Sequence, residues 1–125
     1  MVAIPSNHPT LKEVRVQTQS TSIGGTPVAC YAPVPITGRI SKITACDQGA
    51  ITTADCTMTV AVNGTTNTAL GFTIALSGAA AGRVTSAVPT SPVYVSEGDY
   101  ITLTPSGASG ASIGGVFVIT VVQGS

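Results

Sequence analysis

Apolar residues recur at every second position along most of this chain, a period that belongs to strands and not to helices. Cys56, Met58, Val60 and Val62 alternate with Thr57, Thr59, Ala61 and Asn63, and Leu70, Phe72, Ile74 and Leu76 alternate with Gly71, Thr73 and Ala75. No window carries apolar residues at three-and-four spacing, and Gly, Pro and β-branched residues interrupt every candidate helix. The pattern predicts a first strand carrying Leu11, Val14 and Val16. A second falls over 27–34, where Pro33 and Pro35 place it at a sheet edge or end it. A third covers 36–46, and its apolar positions change parity between Ile40 and Ile43. That change predicts a bulge, or a strand leaving one sheet for the other. Val84, Ser86 and Val88 make a short strand, Tyr94 and Val95 a shorter piece, and 100–104 and 113–122 the last two.

About eight short strands at this spacing mean an all-β sandwich or barrel. Only Asn63-Gly64 reads as a tight hairpin turn with positive φ. The other links are long enough to cross between sheets, which favours a two-sheet β-sandwich of jelly-roll type. Glu97-Gly98-Asp99 reads as a turn in which Gly98 supplies positive φ and Asp99 bonds local backbone. Residues 11–125 form a single β-sandwich domain on this reading, and 1–10 an extended N-terminal arm. The arm holds Val2, Ile4, Pro5, His8 and Pro9 without strand alternation or a capping signal. Alone it would bury about two apolar side chains, worth roughly 3–5 kcal/mol. Fixing ten backbone residues costs on the order of 10–20 kcal/mol. Its main contacts are therefore expected outside its own subunit.

The last strand departs from alternation. Val116, Val118 and Val122 face one side, and Phe117, Ile119 and Val121 the other, so both faces are apolar. One face belongs to the core. The other is expected to meet a second subunit, which makes Val116, Phe117, Val118, Ile119 and Val121 the candidate interface strand. The alternative is a central strand whose outer face lies under a loop.

Composition strengthens the case for assembly. The mean hydropathy is +0.44, yet only 8% of residues are charged, against about 25% in ordinary soluble domains. A compact monomer of this mass exposes roughly 6,100 Å², or about one charge per 600 Å². The formal net charge is zero, which gives no electrostatic case for nucleic acid or an anionic membrane. The run 116–119 is far short of the ~20 residues of a membrane helix. The first nine residues have no basic or apolar leader pattern, so synthesis in the cytosol is expected.

Candidate chemistry is sparse. The single histidine, His8, lies in the arm, far in sequence from Ser and Cys nucleophiles. None of Glu13, Asp47, Asp55, Glu97 and Asp99 sits in a sequence setting that raises a carboxyl pKa for acid–base work. Asp47 and Asp55 flank one loop and read as solubilisers, with a calcium site the alternative. Three cysteines is an odd count, against a disulfide framework. Cys46 and Cys56 bracket a loop and are the only candidate pair; small buried hydrophobes are the simpler reading. There is no CxxC and no phosphate loop. Tyr31, Tyr94 and Tyr100 lie in or beside strands and read as core or interface packing, and there is no Trp to form a sugar platform. No enzyme, cofactor or metal centre is expected.

The order of elements carries a resemblance. A strand ending Val60-Ala61-Val62-Asn63-Gly64 is followed by a second strand and a small-residue loop. Then come Val93-Tyr94-Val95-Ser96-Glu97-Gly98-Asp99-Tyr100-Ile101-Thr102-Leu103, a Gly/Ser loop and an apolar last strand. Over about 36–122 this resembles the small trimeric β-sandwich proteins of tailed bacteriophages, especially head decoration (cement) proteins. The resemblance implies a homotrimer on the outside of a phage capsid, binding the major capsid protein and stabilising the shell. It implies a virion location after synthesis in the host cytoplasm, with the arm as a tether and no catalysis. The alternative from the same resemblance is the receptor- or glycan-binding head of a phage fibre.

Overall fold

The computed structural model describes residues 12–106 and 112–123. The arm residues Val2, Ile4, Pro5, His8 and Pro9 lie outside the described residues. Ten strands run in chain order: β1 (Glu13–Ser20), β2 (Cys30–Pro33), β3 (Gly38–Asp47), β4 (Cys56–Val62), β5 (Thr65–Thr66), β6 (Phe72–Ile74), β7 (Val84–Ala87), β8 (Tyr94–Val95), β9 (Tyr100–Pro105) and β10 (Gly115–Gln123). All pairings are antiparallel.

The first sheet has the order β1-β10-β3-β7, with β8 also on β3; the second has β2-β9-β4-β5, with β6 also on β4. First, last, third and seventh strands thus face second, ninth, fourth and fifth. Successive strands change sheet at β1–β2, β2–β3, β3–β4, β6–β7, β8–β9 and β9–β10. This is the jelly-roll arrangement of a two-sheet β-sandwich.

Between the sheets lies one core. Phe117, Ile119 and Val121 from β10 meet Met58, Val60, Ile101 and Leu103 from the facing sheet, all fully buried. The Phe117 ring sits edge-on to Phe72 at 6.4 Å between centroids. Period-2 patterning put the right face inward in β4, whose burial alternates buried and exposed from Cys56 to Val60.

The parity change between Ile40 and Ile43 has the cause expected of it. Lys42 pairs Thr120 and Ile40 pairs Val121, so Ser41 is an extra residue in β3. The bulge turns both Ile40 and Ile43 into the core. The Asn63-Gly64 turn also forms as read: both residues have positive φ, at 52° and 85°, and they close the β4–β5 hairpin. β5 is only two residues of threonine, too short and polar to show as alternation. β2 is an edge strand, as its prolines required.

Candidate functional site

Three features stand out: a buried ion pair at one end of the sandwich, and two outer sheet faces of different chemistry.

The ion pair corrects the reading of Asp47 as a loop solubiliser. The Asp47 side chain is 1% exposed, and Arg83 Nη2 donates to its Oδ2 at 3.1 Å. Arg83 Nη1 donates to the Ser77 carbonyl at 2.7 Å, and Nη2 also donates to the Ala75 carbonyl. Backbone bonds from Gly82 N to Asp47 O (2.7 Å) and from Asp47 N to Arg83 O (3.0 Å) complete the clasp. It holds the small-residue loop 75–83 to the end of β3. The pairing is incomplete, since Asp47 Oδ1 and Arg83 Nε are buried without partners. Burial accordingly pushes the Asp47 carboxyl above its ordinary range, with Arg83 opposing. Asp55 is engaged elsewhere, its Oδ1 accepting from Leu76 N at 2.7 Å. Among the described residues no group of three His, Cys, Asp or Glu is placed to hold a metal.

All three cysteines are free. Cys30 and Cys56 are core residues, and burial raises the Cys30 thiol pKa. Cys46 points to the outer face of the first sheet, so it does not meet Cys56.

The Glu97-Gly98-Asp99 turn is built as expected. Gly98 has φ 94°. Asp99 Oδ2 accepts from Ser96 N at 2.8 Å, and Asp99 Oδ1 accepts from Asn63 Nδ2 at 3.0 Å. The two turns are thereby tied together, because Asn63 Oδ1 accepts from Tyr100 N at 3.0 Å. These bonds, that from Asn63 first, hold the Asp99 carboxyl below its usual range. Stability tied to it is therefore present above the unfolded pKa of 3.8 and lost as pH falls through the lower folded value. We predict that Asn63→Ala raises the Asp99 pKa toward 3.8, read by carboxyl NMR titration. An unmoved titration would show that the amide bond is not the cause.

On the outer face of the first sheet the register sets four rows across the strands. They are Gln19, Val116, Cys46 and Val84; Gln17, Val118, Thr44 and Ser86; Arg15, Thr120 and Lys42; and Glu13, Val122, Arg39 and Tyr94. A valine column on β10 thus runs down the middle. Val116, Val118 and Val122 are half-buried here, while Phe117, Ile119 and Val121 are committed to the chain's own core. Of the predicted interface strand, Val116 and Val118 are the residues open to a partner. Val84 and Val88 are exposed beside them. One half of this face is basic. Four of the five Lys and Arg residues, Lys12, Arg15, Arg39 and Lys42, lie on or beside it, and its one acid, Glu13, pairs with Arg15 at 2.6 Å. The neutral total of the sequence hid this segregation.

The outer face of the second sheet has no charged side chain among its strand positions. Its rows are Thr73 with Thr57; Thr59 with Thr104; Thr66, Ala61, Thr102 and Tyr31; and Tyr100 with Pro33. Of the two placements expected of the tyrosines, core or interface, the core is excluded. Tyr31, Tyr94 and Tyr100 are 63%, 62% and 43% exposed. Alternation explains it: Tyr31 lies between the buried Cys30 and Ala32, and Tyr100 before the buried Ile101. Tyr31 and Tyr100 meet with ring centroids 6.3 Å apart, tilted at 49°. Beside β4, toward β5 and β6, lies a groove of about 280 Å³ lined by Thr57, Thr59, Thr66, Asn67 and Thr73 and reaching Phe72.

Sequence comparison gives no match, either to a family profile or to a curated protein. The fold does have likenesses among solved structures. One is a chain of the acidic stable capsid structure of Helicobacter pylori bacteriophage KHP30. It superposes with a TM-score of 0.54 at 13% identity, over 93% of this chain and 95% of the other. At that identity the likeness is one of fold. The likeness extends over nearly all of both chains.

Proposed function

We propose that this chain is a structural subunit of a phage virion, a decoration protein that assembles with itself on the outside of the capsid shell and stabilises it. The observation that carries the reading is the end-to-end fold likeness to a small chain of a phage capsid structure. The half-buried valine column supports it, because an apolar strip on an outer face suits burial in an assembly. The role needs no catalysis and no cofactor. The major capsid protein is the partner, with the arm residues Val2, Ile4, Pro5, His8 and Pro9 as tether. Synthesis in the host cytoplasm and residence in the virion follow from the same reading.

The proposed assembly is a homotrimer built through the outer face of the first sheet. Charge favours a ring over a twofold dimer. A twofold contact sets a patch against itself, so an axis passing near Arg15, Arg39 and Lys42 would bring like charges together. A ring sets this face against a different surface of the next subunit, and Asp55, Glu97 and Asp99 all lie off it. Val118→Asp is predicted to leave the fold intact and abolish the oligomer, because Val118 lies on the outer face and only its half-exposed side chain changes. The far-ultraviolet CD spectrum reads the first and light scattering the second; an intact oligomer would place the interface elsewhere.

The shell role is tested by sedimenting purified protein with shells stripped of their decoration protein, with and without residues 1–10. Full-length protein is expected to pellet with the shells and the truncated form to bind at least about tenfold more weakly, a loss of about 1.4 kcal/mol. Protein that stays in the supernatant with intact shells would contradict the role.

A further inference from the structure

We propose that the outer face of the second sheet binds a neutral oligosaccharide, which stacks on Tyr31 and Tyr100 and hydrogen-bonds to the threonine hydroxyls. The structure, and not the sequence pattern, brings these groups together. Tyr31 and Tyr100 come from strands far apart in the chain, and the β2–β9 register places them on one face with their rings in contact range. Both are substantially exposed in a chain with few aromatics. Rings with a polar tip are suited to the apolar faces and hydroxyl rims of sugars.

The row from Tyr31 through Thr102 and Ala61 to Thr66 crosses four strands, about 14 Å at ordinary strand spacing. That length suits an oligosaccharide better than a single sugar. It leads from the tyrosine pair to Thr66, which lines the groove beside β4. The hydroxyls along the way donate and accept, as sugar hydroxyls do.

Charge selects the ligand. The strand positions of this face carry none. At its edge is Asp99, next to Tyr100 in the chain, whose hydrogen bonds from Asn63 and Ser96 hold its carboxyl below the usual range. An anionic sugar would meet that carboxylate, and a neutral one would not. A second copy of the chain is a poorer occupant. Drying a plane of threonine hydroxyls against a protein face leaves polar groups without partners, which is costly. The apolar and charged positions that suit a protein contact lie on the opposite sheet.

This inference is independent of the virion role: sedimentation with shells reads one, and saccharide binding the other. The purified protein is applied to an array of neutral gluco-, galacto- and manno-oligosaccharides beside sialylated and sulfated ones. Hits are measured by calorimetry. Binding is expected in the neutral set. Tyr31→Ala should weaken it about tenfold, the scale of one lost aromatic contact, and Tyr31→Phe should retain it. Tyr31 is an exposed edge-strand residue, so its removal leaves the core untouched. The proposal is overturned if no neutral saccharide binds, if the acidic set is preferred, or if Tyr31→Ala binds as well as the parent. It is equally overturned if Tyr31 and Tyr100 resist nitration in the assembled protein, which would show a second copy on this face.

Discussion

Phe117→Asp is expected to leave the chain unfolded at neutral pH. Phe117 is 0% exposed on the core face of β10, the strand that joins β1 to β3. It packs on Phe72 from the opposite sheet. Truncating a buried Phe costs about 3–5 kcal/mol in lost transfer and cavity terms. A carboxylate in the same place adds several more, because no described cation lies in the core cluster to pair with it. The sum is comparable to the roughly 5–15 kcal/mol that holds a domain of this size together. Circular dichroism and one-dimensional NMR would report loss of the fold. A folded variant would show that β10 is not the central strand of the core. The contrast with Val118→Asp, one residue along and on the other face, separates folding from assembly within a single strand.

Arg83→Met is expected to destabilise the fold by about 3 kcal/mol at pH 7, the cost of leaving a buried charge without its partner. Three bonds go with the guanidinium, to Asp47, Ser77 and Ala75. The deficit should depend on pH with a defined sign. Burial already raises the folded Asp47 pKa above 3.8, and Arg83 is the group that opposes the rise. A carboxyl raised on folding contributes stability that is fully present below its unfolded pKa and lost as pH rises through its folded value. Removing Arg83 raises the folded value further and extends that loss to higher pH. The variant should therefore be closest to the parent near pH 4 and fall away toward pH 7, measured by urea unfolding across that range. A deficit that is the same at both ends would mean that Asp47 is not charged in the parent fold.

Much of the framework was legible in the sequence, and the reasons are local. Period-2 alternation located β4 and β9 because each has one wet and one dry face. The bulge at Ser41 showed itself because Ile40 and Ile43 are both large and both needed burial. Asn63-Gly64 and Gly98 announced their turns through the backbone conformations they permit.

What was hidden depends on contacts between distant residues. Asp47 looked like a loop residue because its partner Arg83 is 36 positions away. The basic face of the first sheet was invisible in a net charge of zero, since only the register of β1, β10 and β3 gathers Arg15, Arg39 and Lys42. The sequence left Tyr31 and Tyr100 between core and interface, and only the β2–β9 register brings them together. Here the small residues Cys30 and Ala32 fill the inward positions and leave Tyr31 outside. The last strand reads as apolar on both faces, but only the pairing shows that Phe117, Ile119 and Val121 face the core and Val116 and Val118 the outside.

The central claim, that this chain is a self-assembling structural subunit, is tested most directly by the mass of the pure protein in solution. Size-exclusion chromatography with light scattering at micromolar concentration is expected to give three times the 12.4 kDa chain mass. A stable species at 12.4 kDa, with no self-association as concentration rises, would contradict it.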